Sequence, residues 1–238
     1  MADLCIDGLL PEQARLWVAY VALENGMMRR QALDELEHFI EAVESEPVEQ
    51  HQPWAAMLAA RVVDGGESLP VRMPLFRRVL MPALRDGYRR HLPGYARWLA
   101  GFSNLLFHTP QWDSERDGPA TALALLRRAL QDDPHDALAR KSLVEEMATW
   151  LDYSVHEVPW GVLSGTNGAT RDDMTDLQVA LAEFVQLAGA AGLSEQYEDL
   201  VAECSLHFRA YEHYLAFSDR YESYEAYLDA EEPTWRSL

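Results

Sequence analysis

Basic charge is what this chain has least of. Lys and Arg total 20 against 39 Asp and Glu, a formal net charge of −19, and Lys141 is the single lysine. A surface of that sign repels phosphate backbones and anionic lipid headgroups, so neither nucleic acid nor a membrane is an expected partner. Cysteine is nearly as scarce. Cys5 and Cys204 stand alone, with no CxxC, which excludes a disulfide framework and fits a reducing compartment. Long apolar runs are missing too: residues 17–23 are far too few to span a bilayer. The first residues carry Asp3 and Asp7 and no basic start, so they do not read as a secretory signal. A soluble cytoplasmic protein is the expectation.

Motifs for chemistry are also absent. There is no HExxH, no EF-hand loop, no GxSxG and no Walker lysine. Glu35 and His38 have the ExxH spacing of di-iron bundles, but such a site needs a second ExxH and two more helical carboxylates. His38 reads instead as an ordinary half-buried histidine. Glu203 and His207 lie one turn apart. The stretch 164–170 is Gly-rich and precedes a helix start, yet Asp172 and Asp173 would repel a phosphate, so it reads as a connector. No metal or cofactor is expected.

What the chain does hold is apolar residues at helical spacing. It is 48% hydrophobic and 10% aromatic, enough for a core. Strand signals are scarce. Helices are predicted over 11–25, 28–45, 54–63 (opened by Pro53), 75–86 (kinked at Pro82), 95–107, 119–131, 133–151, 171–188, 195–217 and 219–230. Thr170 and Asp173 have capping-box spacing, and Asp133 is placed as the cap of the helix after it. The fold class is therefore all-α, a multi-helix bundle or stacked helical hairpins of roughly 9–10 helices. The polar stretch 109–119 divides the chain into expected subdomains 1–108 and 119–238, or joins them into one continuous domain.

Ala122, Leu126, Ala129, Leu130 and Pro134 stand at the spacing of the second helix and closing proline of a tetratricopeptide repeat. Residues 119–151 resemble one such unit; upstream, Leu106, Thr109, Pro110 and Asp113 depart from the repeat, as do Arg140 and Val144 downstream. The resemblance implies a peptide-binding adaptor.

Two segments hold candidate functional residues. Asp152, Tyr153, His156, Glu157 and Trp160 gather a histidine, two carboxylates and two aromatics where helical periodicity is expected to break. An enzyme reading makes His156 the general acid or base and Glu157 its orienting carboxylate. The C-terminal segment threads tyrosines through carboxylates, and Tyr211, Glu212, Tyr214, Tyr221, Glu222, Tyr224 and Glu225 form a candidate binding face for guanidinium groups.

Charge is unevenly placed. Residues 1–50 and 195–238 each hold 11 acids and 3 bases, whereas 72–97 hold seven arginines and one acid, Asp86. The arginines either dock on the protein's own acidic helices, within one chain or across a homodimer, or face an anionic ligand. The leading expectation is a non-enzymatic binder that neutralises a basic protein partner, similar in type to the immunity proteins that bacteria pair with toxins.

Overall fold

The computed structural model describes residues 7–158 and 169–231. Among them every regular element is helical and no strand occurs, which is the all-α fold expected from the spacing. The chain forms two compact units, Met1–Ala139 and Arg140–Leu238.

The first unit opens with α1 (Pro11–Asn25), α2 (Arg29–Glu44) and α3 (Val48–Val63). Pro11 occupies the first helical position, where its missing N–H costs nothing. Trp17, Tyr20, Phe39 and Trp54 are fully buried, with ring centroids 5.3–5.5 Å apart. These tilted and edge-on contacts lock the three helices together. Pro53 does not open α3 but lies inside it, because Pro47 and Val48 already start the helix. Pro53 withholds only the bond to the carbonyl of Glu49, an exposed residue where water can serve instead.

Pro82 is accommodated in a different way. α4 (Met73–Leu75) runs through a π turn, Phe76–Leu80, directly into α5 (Met81–Arg89), so Pro82 falls near the start of α5. The wider turn reroutes backbone bonds just before the residue that cannot donate one. The helix expected over 95–107 is two: α6 (Tyr95–Gly101) and α7 (Ser103–Phe107). Phe102 separates them, its ring buried 5.5 Å from that of Phe76.

The stretch 109–119 is not a bare linker. It contains a one-turn helix, α8 (Ser114–Asp117), capped by Asp113. Thr109, Trp112 and Asp117 are buried there. Trp112 Nε1 donates to the Gly118 carbonyl at 2.8 Å, and Tyr88 Oη donates to the Asp117 carbonyl at 2.7 Å. The two units divide at 139/140. α9 (Ala122–Asp132), with Thr121 as N-cap, lays Leu125, Leu126 and Ala129 on α6.

α10 (Ala137–Glu157) has its first turn at the division. Asp136, not Asp133, caps it: Asp136 Oδ1 accepts from the Ala139 N–H at 2.9 Å. The second unit adds α11 (Arg171–Ala191), α12 (Glu198–Ala216) and α13 (Tyr224–Ala230). Thr170 and Asp173 form the capping box predicted for α11. Leu143, Met147 and Leu151 of α10, Met174, Leu177 and Phe184 of α11, and Cys204 and Phe208 of α12 are the buried core of this unit.

Candidate functional site

The arginine-rich segment is consumed by the first unit itself. Arg72 grips Glu24 through two bonds of 2.9 and 2.6 Å. Arg78 bridges Glu37 and Glu44. Arg85 and Arg89 converge on Asp117, whose side chain is 0% exposed. Arg90 pairs with Asp86, and Arg97 with Asp64 and Asp136. Arg77 donates to Gln111 at 3.2 Å. Of the two expectations, docking within the chain is what these arginines do. Burial raises the pKa of Asp117, but hydrogen bonds from Arg89 and Arg85 outweigh it and leave the carboxyl below its ordinary value.

The 152–157 segment is not a loop. α10 continues to Glu157, so Asp152, Tyr153 and His156 stand on its exposed side, while Ser154 and Val155 are buried. His156 and Glu157 are consecutive residues of a helix and point about 100° apart, which does not favour one orienting the other. Trp160 and residues 164–168 of the Gly-rich connector lie outside the described residues. Glu35 and His38 approach to 3.8 Å, and His38 is exposed rather than half-buried, because its side of α2 faces away from Leu36, Phe39 and Ile40. Among the described residues no group of three or more His, Cys, Asp or Glu could hold a metal ion. Cys204 is buried, and burial pushes its thiol up to about 12.

The C-terminal tyrosines form the joint between α12 and α13. Tyr211 and Tyr224 are buried with their rings 5.0 Å apart, and Tyr227 is fully buried, stacked 6.0 Å from Tyr224. Tyr214 and Tyr221 are half-buried around them, with Tyr221 Oη donating to Glu231 at 2.8 Å. Tyr227 Oη and His213 Nδ1 are 2.9 Å apart. A seven-residue helix has little apolar area of its own, so its tyrosines are needed inside. Of the candidate face, Glu212, Glu222 and Glu225 remain exposed.

Sequence reasoning missed a groove. Along α11 and α12 a depression of about 780 Å³ is floored by Leu181 and Phe208 and walled by Ala182, Val185 and Ser205. Gln178 Nε2 donates across it to Glu212 Oε2 at 2.8 Å. It continues at one end into a hollow shared by Arg171, Arg209, Glu212 and His213. At the other end, past Val185, it continues into one lined by Glu195, Tyr197, Glu198 and Val201. Arg209 turns its Nε onto the Ser205 carbonyl of its own helix, at 2.8 Å. Val179 and Val185 are 64% and 45% exposed on the same helix. The signal was present in the spacing: Gln178, Ala182, Val185 and Gly189 follow one another at four, three and four residues, an uncharged row on an otherwise charged chain.

No helix among the described residues is long and apolar enough to cross a membrane. Comparison with protein-family models, curated proteins and solved structures finds no match for this chain.

Proposed function

We propose that this chain is a non-enzymatic binding protein that recognises and neutralises a basic protein partner in the cytoplasm, as immunity proteins do. One observation carries the reading: the partition of charge between the two units. Residues 1–139 hold 20 acids and 14 bases, and the ion pairs of Arg72, Arg78, Arg85, Arg89 and Arg97 tie that charge up internally. Residues 140–238 hold 19 acids and only 6 bases. No arrangement of six bases can neutralise nineteen acids, so the second unit presents a large excess of negative charge. Such a field speeds the encounter with a cationic surface and disfavours anionic competitors.

The test is affinity capture with the tagged chain at low salt, identification of what is held, and calorimetry on the purified pair. The expected result is one basic protein, bound with an affinity that falls at least about tenfold between roughly 50 and 300 mM NaCl. A captured protein that is acidic, or binding indifferent to salt, would overturn the reading.

A further inference from the structure

We infer that the groove between α11 and α12 is the docking site, and that its occupant is an amphipathic helix of the basic partner: apolar on one stripe and cationic beside it. The inference rests on the reading of the chain as an acidic binder and adds where and what it binds.

The groove has the dimensions and chemistry of helix recognition. α11 is 21 residues, about 31 Å at the α-helical rise, so its outer face can run beside several turns of a second helix. Its inner stripe, from Met174 through Leu177, Leu181 and Phe184 to Ala188, is already spent on the core of the unit. A second stripe, Gln178, Ala182, Val185 and Gly189, points away from that core and carries no charge. Small residues there let another backbone come close. Gly189 has open room beside it, since an added Cβ would meet nothing nearer than Ser194 Oγ at 3.7 Å. Val185, 45% exposed, offers apolar area to bury above the closed floor of Leu181 and Phe208.

Charge decides the occupant. Asp172, Asp176 and Glu183 line up at four and seven residues on α11, about 130° around the helix from the uncharged stripe, so they add to the negative field of the unit without lining the groove. Across the groove stand Glu195, Glu198 and Glu212, all exposed. The apolar row thus runs beside one acidic rim, with Arg209 among the residues that line the groove and Arg171 at one end. A helix whose leucine-like stripe enters the groove would place Lys or Arg from one flank over the rim of Glu195, Glu198 and Glu212. A second copy of this chain is the poorer occupant, because it would set 19 acids and 6 bases against the same excess.

The probe is a labelled leucine–lysine amphipathic peptide of about 18 residues, titrated into the full chain by fluorescence anisotropy. The discriminating variant is Val185→Glu. It makes the protein more acidic, so attraction by charge alone would strengthen binding, whereas a groove that takes an apolar stripe would lose it. The expected result is at least about tenfold weaker binding, with under about twofold change for Glu146→Gln, an exposed position of α10 that does not line the groove. Ala182→Glu, also exposed, repeats the test should Val185→Glu lower the helicity seen by circular dichroism. Binding unchanged or tightened in Val185→Glu would overturn the groove while leaving the acidic-binder reading standing. So would a wild-type chain that sediments as a dimer and becomes a monomer in Val185→Glu. Failure of the capture experiment with this peptide still bound in the groove would instead sink the broader reading.

Discussion

Asp117 shows how much of this protein depends on single carboxylates. Its side chain is wholly buried and holds two guanidinium groups, with Arg89 Nε 2.6 Å from Oδ1 and Arg85 Nε 2.7 Å from Oδ2. Removing one partner of a buried ionic group leaves the others uncompensated. Asp117→Ala should therefore cost about 3–5 kcal/mol in urea denaturation. The sign of the pH dependence follows from its depressed pKa. The stabilisation is full above the unfolded value and is lost as pH falls, so wild type should lose stability below about pH 4 more steeply than Asp117→Asn. His51 adds a milder effect. It is buried, desolvation lowers its pKa against the opposing influence of Glu49, and folding therefore favours the neutral ring. Stability from this group is present above about pH 6.5 and declines below it, and His51→Leu should flatten that part of the profile. Cys204 is the third residue with a clear expectation. With its thiol pushed up to about 12 by burial, it should resist iodoacetamide in native Cys5→Ser protein and react only in denaturant.

Elements repeat the lesson with backbone in place of charge. Gly87 lies within α5, where alanine would ordinarily gain about 1 kcal/mol of helix propensity. A Cβ there would stand 2.2 Å from Cδ1 of the Tyr95 ring on α6. Gly87→Ala should lower the melting temperature, against its propensity, because α5 and α6 approach too closely for a methyl group. α13 makes a parallel case. Tyr227→Ala should cost about 3 kcal/mol by emptying the joint with α12, and hydrogen exchange should show α13 opening first. The pair Tyr221→Ala and Tyr224→Ala would likewise report on folding rather than on recognition. The helices themselves were legible in the sequence: the capping box at Thr170 and the start at Pro11 stand where spacing puts them. What spacing could not say is which residue lies opposite. Arg85 and Arg89 find Asp117 some thirty residues away, and nothing local to either segment announces the pairing. The tyrosines of α12 and α13 read as a face for the same reason. A period shows that a stripe exists, whereas burial depends on the element that covers it. The groove was missed in the opposite way, because Ala182 and Gln178 are unremarkable until α12 is seen beside them.

At the scale of the whole molecule the two units should respond to salt with opposite sign. The first is cross-linked by arginine–carboxylate pairs between segments distant in sequence, and counterions weaken the more exposed of these, such as Arg78 with Glu37 and Glu44. The second carries 19 acids and 6 bases, so its like charges repel and counterions relieve the repulsion. Raising NaCl from about 20 to 300 mM shortens the screening length from roughly 20 Å to 6 Å, well inside the width of either unit. Hydrogen exchange read by mass spectrometry on the intact chain separates the two responses in one sample. Protection should rise across α11, α12 and α13 and stay level or fall across α2, α4 and α5. A uniform rise would mean that self-repulsion spreads over the whole chain, and the partition of charge on which the binding reading stands would lose its energetic meaning. The predicted split would show the excess to be confined to the unit that carries the groove. The basic partner should then reproduce it: bound at low salt, it ought to protect α11 and α12 as added NaCl does, because it supplies in one place the positive charge that salt supplies everywhere.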